Sequence, residues 1–355
     1  METQEILQDI DFILLYGGVT FLEVAAALYL LLRRSNAIAP EVTSPVRLRR
    51  WAAVFLLVSA MSHMYWSSYF QHPSSTGYLI IYTLDILLIV PTIAGILLSM
   101  LQDCHRPVWP VTAALIPAVV LSALSFIRED DTLLLLAGIY AVALYMLFLL
   151  YMLFEVRRYG RWLKDNYADL ENKEVWQSFL ILAVFLLFFI LYGSTTGQNR
   201  VQAYLLQIGF IIVVGLLLWR TETLQQLTES TSQETTSPSV TLSKIGTLLQ
   251  KHCERGQLYL RNDLSLAQLA NAIGTNRSYL GQHFAQQGLT FNSYINGLRV
   301  DHFIRLYRKA EAEKRIVTAQ QLAFESGFRS YSTFSSAFKQ KTGKTVKAWM
   351  HDTEE

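Results

Sequence analysis

The chain has 355 residues, 52% hydrophobic and 16% charged, whereas an ordinary soluble domain carries about 25% charged residues. That balance argues against a single soluble globule, and two cysteines are too few for a disulfide scaffold. The net charge of +2 hides an asymmetry: residues 1–219 hold 13 basic and 16 acidic side chains, residues 220–355 hold 17 and 12.

A hydrocarbon core about 30 Å thick takes about 20 apolar residues in a helix. Seven segments meet that length: Phe12–Leu32, Trp51–Phe70, Tyr78–Leu101, Val108–Ile127, Leu133–Phe154, Val175–Tyr192 and Val201–Trp219. They predict a seven-span domain over residues 1–219. Runs such as Leu133–Leu136 and Phe179–Leu191 are apolar all round, while a soluble bundle keeps a polar face on each helix. The residues before the first span are acidic (Glu2, Glu5, Asp9, Asp11), unlike a cleaved signal, so that span is expected to persist. With the amino end outside, the inner loops carry eleven Lys and Arg and the outer loops two, Arg128 and Arg200. This excess predicts a multi-pass protein of the inner (cytoplasmic) membrane, with the lipid bilayer as one partner and the basic tail in the cytoplasm.

Glu23, His63 and Asp85 fall inside the first three spans, where a charge costs at least about 2.5 kcal/mol and generally faces a cavity or a partner. They are candidates for one outward-opening pocket that binds an unknown small ligand; the plainer reading is a polar cluster that holds helices together. Pro91, Pro110 and Pro117 predict kinks in spans three and four. Trp51, Trp66, Trp109, Trp176 and Trp219 read as anchors at the membrane interfaces.

Residues 220–240, rich in Ser, Thr, Gln and Glu, read as a linker. Leu217, Leu224 and Leu227, at near-heptad spacing, leave open a helical extension that pairs with a second chain. Beyond the linker, residues 241–355 contain a duplication. Gln268-Leu269-Ala270 with Gly274 returns as Gln321-Leu322-Ala323 with Gly327, and Leu280 and Phe284 answer to Phe334 and Phe338. Each copy predicts a short amphipathic helix, a left-handed glycine, and a second helix capped by Asn276 or Thr275 in the first copy and Ser330 in the second. That is a helix-turn-helix, whose second helix enters the DNA major groove. A central helix, roughly Phe291–Ala310, joins the copies, and residues 241–350 hold 16 basic against 6 acidic side chains, which suits double-stranded DNA.

The second-copy pattern, Gly327-Phe328-x-Ser330-x-Ser332-x-Phe334-x-x-x-Phe338-Lys339 followed by Gly343-x-Thr345, resembles the AraC/XylS family of bacterial transcription regulators. The resemblance covers about 110 residues and implies a seven-helix DNA-binding domain with an effector domain on its amino side. Soluble members carry a sugar-binding barrel there; this chain carries apolar helices. Where the family often has Arg in each recognition helix, this sequence has Gln282 and Ser336, and Val346 replaces the usual Pro. Gln can pair with adenine while Ser reads loosely, so base preference should depart from the family's pattern. Gly281, inside a recognition helix, costs about 1 kcal/mol of helix propensity.

Leu280, Phe284, Phe334 and Phe338 should face inward. Arg277, Ser278, Gln282 and His283 are then the DNA-facing candidates of the first copy. Arg329, Tyr331, Ser332, Thr333, Ser335, Ser336 and Lys339 are those of the second. No catalytic residue, metal or cofactor is expected: Gly193-Ser194-Thr195-Thr196-Gly197 lacks the strand–helix setting of a nucleophile elbow, and Gly343-Lys344-Thr345 lacks the first glycine of a phosphate loop. Cys104-His105 and His252-Cys253 have no standard zinc spacing. The sequence thus reads as an all-α, seven-span sensor followed by a tandem helix-turn-helix, a membrane-bound transcription regulator with a homodimer partner and RNA polymerase as expected associates. The rival is a transporter or membrane enzyme with a regulatory DNA-binding tail.

Overall fold

The computed structural model describes residues 9–33, 35–40, 42–72, 74–128, 131–194, 200–227 and 242–354. Among these the chain is all-helical; the one β feature is an isolated antiparallel bridge between Tyr167 and Ser265. Contacts divide it into two compact units: residues 1–159 with 175–227, and residues 160–174 with 228–355.

The first unit contains helices α1 (Ile10–Leu32), α2 (Val46–Gln71), α3 (Ser75–Met100), α4 (Trp109–Arg128), α5 (Asp131–Asn166, apart from its last residues, which belong to the second unit), α6 (Trp176–Ser194) and α7 (Arg200–Thr223). Among the described residues five of them, α1, α3, α4, α5 and α7, are long and apolar enough to cross a membrane, against the seven expected. Helix α2 falls short because Arg47, Arg49 and Arg50 open it and Ser59, Ser62 and His63 interrupt its apolar run, yet Ser59, Ser62 and His63 are buried. It can carry polar groups because neighbouring helices supply their partners. In α6 the side chains are described as far as Phe188, and the apolar stretch among them is Trp176–Phe188.

Two boundaries move. Helix α5 is 36 residues long and runs on past Phe154 to Asn166, so the basic stretch expected as a loop is helical. The beginning of the expected linker is instead built in: Arg220–Leu224 are buried, and Glu222 Oε2 accepts the N–H groups of Ala37 (3.0 Å) and Ile38 (2.8 Å) while Oε1 accepts the Tyr29 hydroxyl. Leu217, Leu224 and Leu227 are buried within their own unit, which removes the apolar seam that a coiled coil with a second chain requires. Residues 228–241, the rest of the linker, and 195–199, most of the rejected nucleophile elbow, lie outside the described residues.

The second unit packs two small cores. The first gathers α8 (Leu242–Leu248), a π-helical continuation over Leu249–Arg255, a 3-10 turn (Leu258–Leu260), α9 (Leu266–Ala272) and α10 (Arg277–Gln286) around Ile245, Leu249, Leu269, Leu280 and Phe284. The second gathers α12 (Ala319–Glu325), α13 (Tyr331–Thr342) and α14 (Val346–Glu354) around Leu322, Phe328, Phe334 and Phe338. Helix α11 (Phe291–Ala312) serves both: its amino half gives Phe291 and Ile295 to the first core, its carboxyl half Val300, Phe303 and Tyr307 to the second.

Candidate nucleic-acid interface and buried polar cluster

In the first copy, Ser265 caps α9 through a reciprocal pair: Ser265 Oγ accepts the Gln268 N–H at 3.3 Å and Gln268 Oε1 accepts the Ser265 N–H at 2.9 Å. Gly274 then turns the chain at φ +73°, a conformation that costs any residue with a Cβ about 1–2 kcal/mol. Asn276, not Thr275, caps α10, accepting the Tyr279 N–H at 2.8 Å. In the second copy Thr318 caps α12 by accepting the Gln321 N–H at 3.2 Å, Gly327 turns at φ +87°, and Ser330 caps α13 by accepting the Thr333 N–H at 3.3 Å. These caps and turns set the second helix of each pair at its start, which is where groove-reading side chains sit.

The inward set stands as the pattern requires: Leu280, Phe284, Phe334 and Phe338 are all buried. Phe334 and Phe338 form an aromatic cluster with Phe303, at ring separations of 4.5 and 5.6 Å. Of the first copy's outward candidates, Arg277, Ser278 and Gln282 are exposed, while His283 is half-buried beside Gln287 at 3.1 Å. Burial pushes the His283 pKa down, so at neutral pH it offers hydrogen bonds rather than charge. Of the second copy's, Tyr331, Ser332, Ser336 and Lys339 are exposed, and Arg329, Thr333 and Ser335 half-buried. Gly343 at φ +75° caps the end of α13, a structural role for the triplet that only superficially resembles a phosphate loop.

Two residues fix one copy against the other. The Arg299 side chain is almost fully buried; it donates to the carbonyls of Tyr259 (2.7 Å) and Arg261 (2.6 Å) and lies 5.7 Å from the Phe328 ring. Burial lowers its pKa to about 10, so it remains a cation at neutral pH. Gly327 meets the same backbone: a Cβ there would lie 2.5 Å from the Leu260 carbonyl oxygen. The repeat pattern alone places that glycine at a turn and gives Arg299 no role. An Arg on a helix face that otherwise supplies core residues was the available signal.

Residues 269–352 match the helix-turn-helix domain family. This part of the chain is an AraC-type helix-turn-helix domain. An uncharacterized HTH-type transcriptional regulator of Staphylococcus aureus strain MRSA252 is 30% identical over 101 residues, 28% of this chain and 13% of that protein. Its counterpart in strain COL is 29% identical over the same shares. The TCP pilus virulence regulatory protein of Vibrio cholerae serotype O1 is 33% identical over 73 residues, 21% of this chain and 25% of that protein. The chain spans 13% of the length of these staphylococcal relatives. No solved structure matches it. The staphylococcal relatives carry the name of HTH-type transcriptional regulators.

In the first unit, two of the three ionisable candidates come together. His63 Nδ1 lies 3.0 Å from Glu23 Oε2 and 3.0 Å from the Ser59 carbonyl oxygen. Ser59 Oγ donates to Glu23 Oε1 at 2.5 Å, and Gln207 Oε1 of α7 lies 3.2 Å from His63 Nε2. The rings of Tyr16 and Phe210 stand edge-on to the imidazole, each 4.8 Å away. Asp85 accepts Trp66 Nε1–H at 2.7 Å and lies within electrostatic reach of His63; Trp66 therefore binds a carboxylate where an interface anchor was expected. Glu23, His63 and Asp85 are at most 5% exposed, so they face neighbouring helices rather than an open mouth. Ser59, Tyr16 and Gln207 were missed because single polar residues in apolar spans carry no periodic signal.

Proposed function

We propose that the protein is a membrane-bound, sequence-specific transcription regulator, in which a seven-span sensor conveys a membrane or small-ligand signal to a tethered DNA-binding domain in the cytoplasm. The observation that carries the reading is the pair of capped recognition helices, each seated on its own aromatic or aliphatic core and joined through α11. The 22 residues of α11 extend about 33 Å, close to the ~34 Å repeat of the duplex, so α10 and α13 suit successive major grooves on one face. Arg277, Ser278, Gln282 and His283 from α10, with Arg329, Tyr331, Ser332, Thr333, Ser335, Ser336 and Lys339 in or beside α13, form the DNA surface. Most of these contacts position the phosphate backbone and fewer read base edges.

The apolar helices and the inner excess of Lys and Arg support membrane insertion with the amino end outside. All seven helices of the first unit span in this reading, α2 being shielded by its neighbours. The Glu23–His63 pair is the sensing element, with Asp85 beside it. A signal has to favour one of two arrangements, and pairing of two protomers on a promoter, or contact with RNA polymerase, is the output. The test is binding of promoter fragments by the full-length protein in detergent. A shift that weakens steeply with salt and is lost in Arg277→Ala/Lys339→Ala supports the reading; a salt-insensitive or absent shift overturns it. Glu23→Gln and His63→Ala should abolish the signal response while leaving that shift intact.

A further inference from the structure

Residues 160–174, the last part of α5 and most of the stretch that leads on to α6, belong to the same compact unit as the helix-turn-helix pair. Their base is anchored in the first core. Tyr167 bridges Ser265, the cap of α9; the Ala168 N–H donates to the Leu264 carbonyl at 3.2 Å; and Ala168 is fully buried in the first core. The Ala168 carbonyl accepts from Asn292 Nδ2 (2.7 Å) and Asn296 Nδ2 (3.3 Å), and Asn292 also reaches the Tyr167 carbonyl at 3.2 Å. Two amides from α11 thus hold two consecutive carbonyls, which fixes this stretch in register.

The residues just before that base, the end of α5, lie on the start of the first recognition helix. The Arg277 guanidinium sits 5.7 Å from the Trp162 ring. Asp165 and Asn166 line a cleft with Arg277, Ser278, Gly281 and Phe284. Arg277 and Ser278 are the first two residues of α10, the part of a recognition helix that meets bases and phosphates. Its free N–H groups and dipole favour an anion. Gly281 lacks a side chain that would fill the cleft, which gives a mid-helix glycine a packing reason. Arg277 and Ser278 stay exposed beside the arm, as do the matching positions of the second copy, Tyr331 and Ser332.

We propose that the start of α10 has two mutually exclusive occupants, the Trp162–Asn166 arm of this chain and the phosphate backbone of DNA, so that the arm competes with the duplex for the first reading head. The proposal rests on the DNA-binding reading above. The cation–π contact is of the modest, partly exposed kind, weak enough for a duplex to displace and strong enough to tune affinity. Helix α5 runs unbroken from Asp131 to Asn166, so the arm is the end of a helix whose earlier residues belong to the first unit; withdrawing it couples that helix to DNA binding without any new contact.

The test uses the full chain in detergent, with a labelled duplex selected by its own binding. Trp162→Ala should tighten Kd about fivefold to tenfold, while Trp162→Phe, which keeps a ring face for Arg277, should stay close to the parent. An unchanged or weaker Kd in Trp162→Ala overturns the masking. A second readout needs no DNA. In a Cys104→Ser background that keeps Trp162, Asp165→Cys with Ser278→Cys, which line one cleft, should be joined by a short bis-maleimide, and saturating duplex should block that crosslink. No crosslink without duplex, or a yield unchanged by bound duplex, overturns the proposal. Failure of every variant to bind any duplex overturns the DNA-binding reading instead, and the crosslink formed without DNA still reports where the arm sits.

Discussion

The two helix-turn-helix copies share a plan and differ in what surrounds them. Each uses a hydroxyl or amide cap and a left-handed glycine, but Gly274 turns in open space whereas Gly327 presses on the Leu260 backbone. The first copy's core is completed by Ala168 from the α5–α6 connection; the second's is closed by its own aromatic residues and Trp349 of α14. Duplication therefore conserved the local rules of a reading head, while packing made one copy a hub and the other a free end.

The sharpest way to break this comparison is a pair of glycine substitutions. Gly327→Ala should destabilise the second unit by roughly 3 kcal/mol or more, because backbone strain adds to a clash with backbone atoms that cannot move aside; Gly274→Ala should lose only the strain, about 1–2 kcal/mol. Hydrogen exchange of α9–α13 in the full chain measures both, and equal effects would show that the two turns are equivalent after all.

Next in size is Arg299→Met, which leaves the Tyr259 and Arg261 carbonyls without their donor. A loss of about 2–3 kcal/mol is expected, read by thermal melting, with protection lost in both copies together since the residue joins them.

The Cys253 thiol, buried in the first core, has its pKa pushed up to about 12 by burial, with Glu254 adding to the shift. Its folded pKa lies above the unfolded one, so its contribution is whole below about pH 9 and declines as pH rises toward 12. The first copy should lose about 1.4 kcal/mol per pH unit in that window. Cys253→Ala should flatten the profile; the second copy holds no cysteine and should show no such slope.

Smaller still, Asn276→Ala and Ser330→Ala should each cost about 1 kcal/mol, detectable as fraying at the start of α10 or α13 alone. The least effect separates the reading heads. Arg277→Ala and Lys339→Ala should each reduce the salt dependence of DNA binding by about one counterion. Lys339→Ala should lose more affinity, because removing Arg277 also frees the arm that competes with DNA.

Much of this was legible before any coordinates. The caps, the turn glycines and the four inward residues of the recognition helices depend on contacts three or four positions apart, which a sequence displays directly. The apolar segments were legible for the same reason, although counting them by composition hid the difference between α2, polar on a buried face, and the five helices that hold a long apolar stretch. The seat of Ala168, the capture of Glu222 by Ala37 and Ile38, and the pairing of His63 with Gln207 each join residues more than a hundred positions apart. No period or spacing encodes such pairs.

What the sequence determined alone is therefore local: apolar runs of bilayer length, and a duplicated unit whose glycines and capping side chains answer to backbone sterics within single turns. Tertiary structure alone decided which polar groups pair and which surfaces stay open, because a buried donor must find whichever acceptor the packed chain brings to it. That is why Glu23 lies beside His63, Asp85 binds Trp66, and the first reading head begins beneath Trp162.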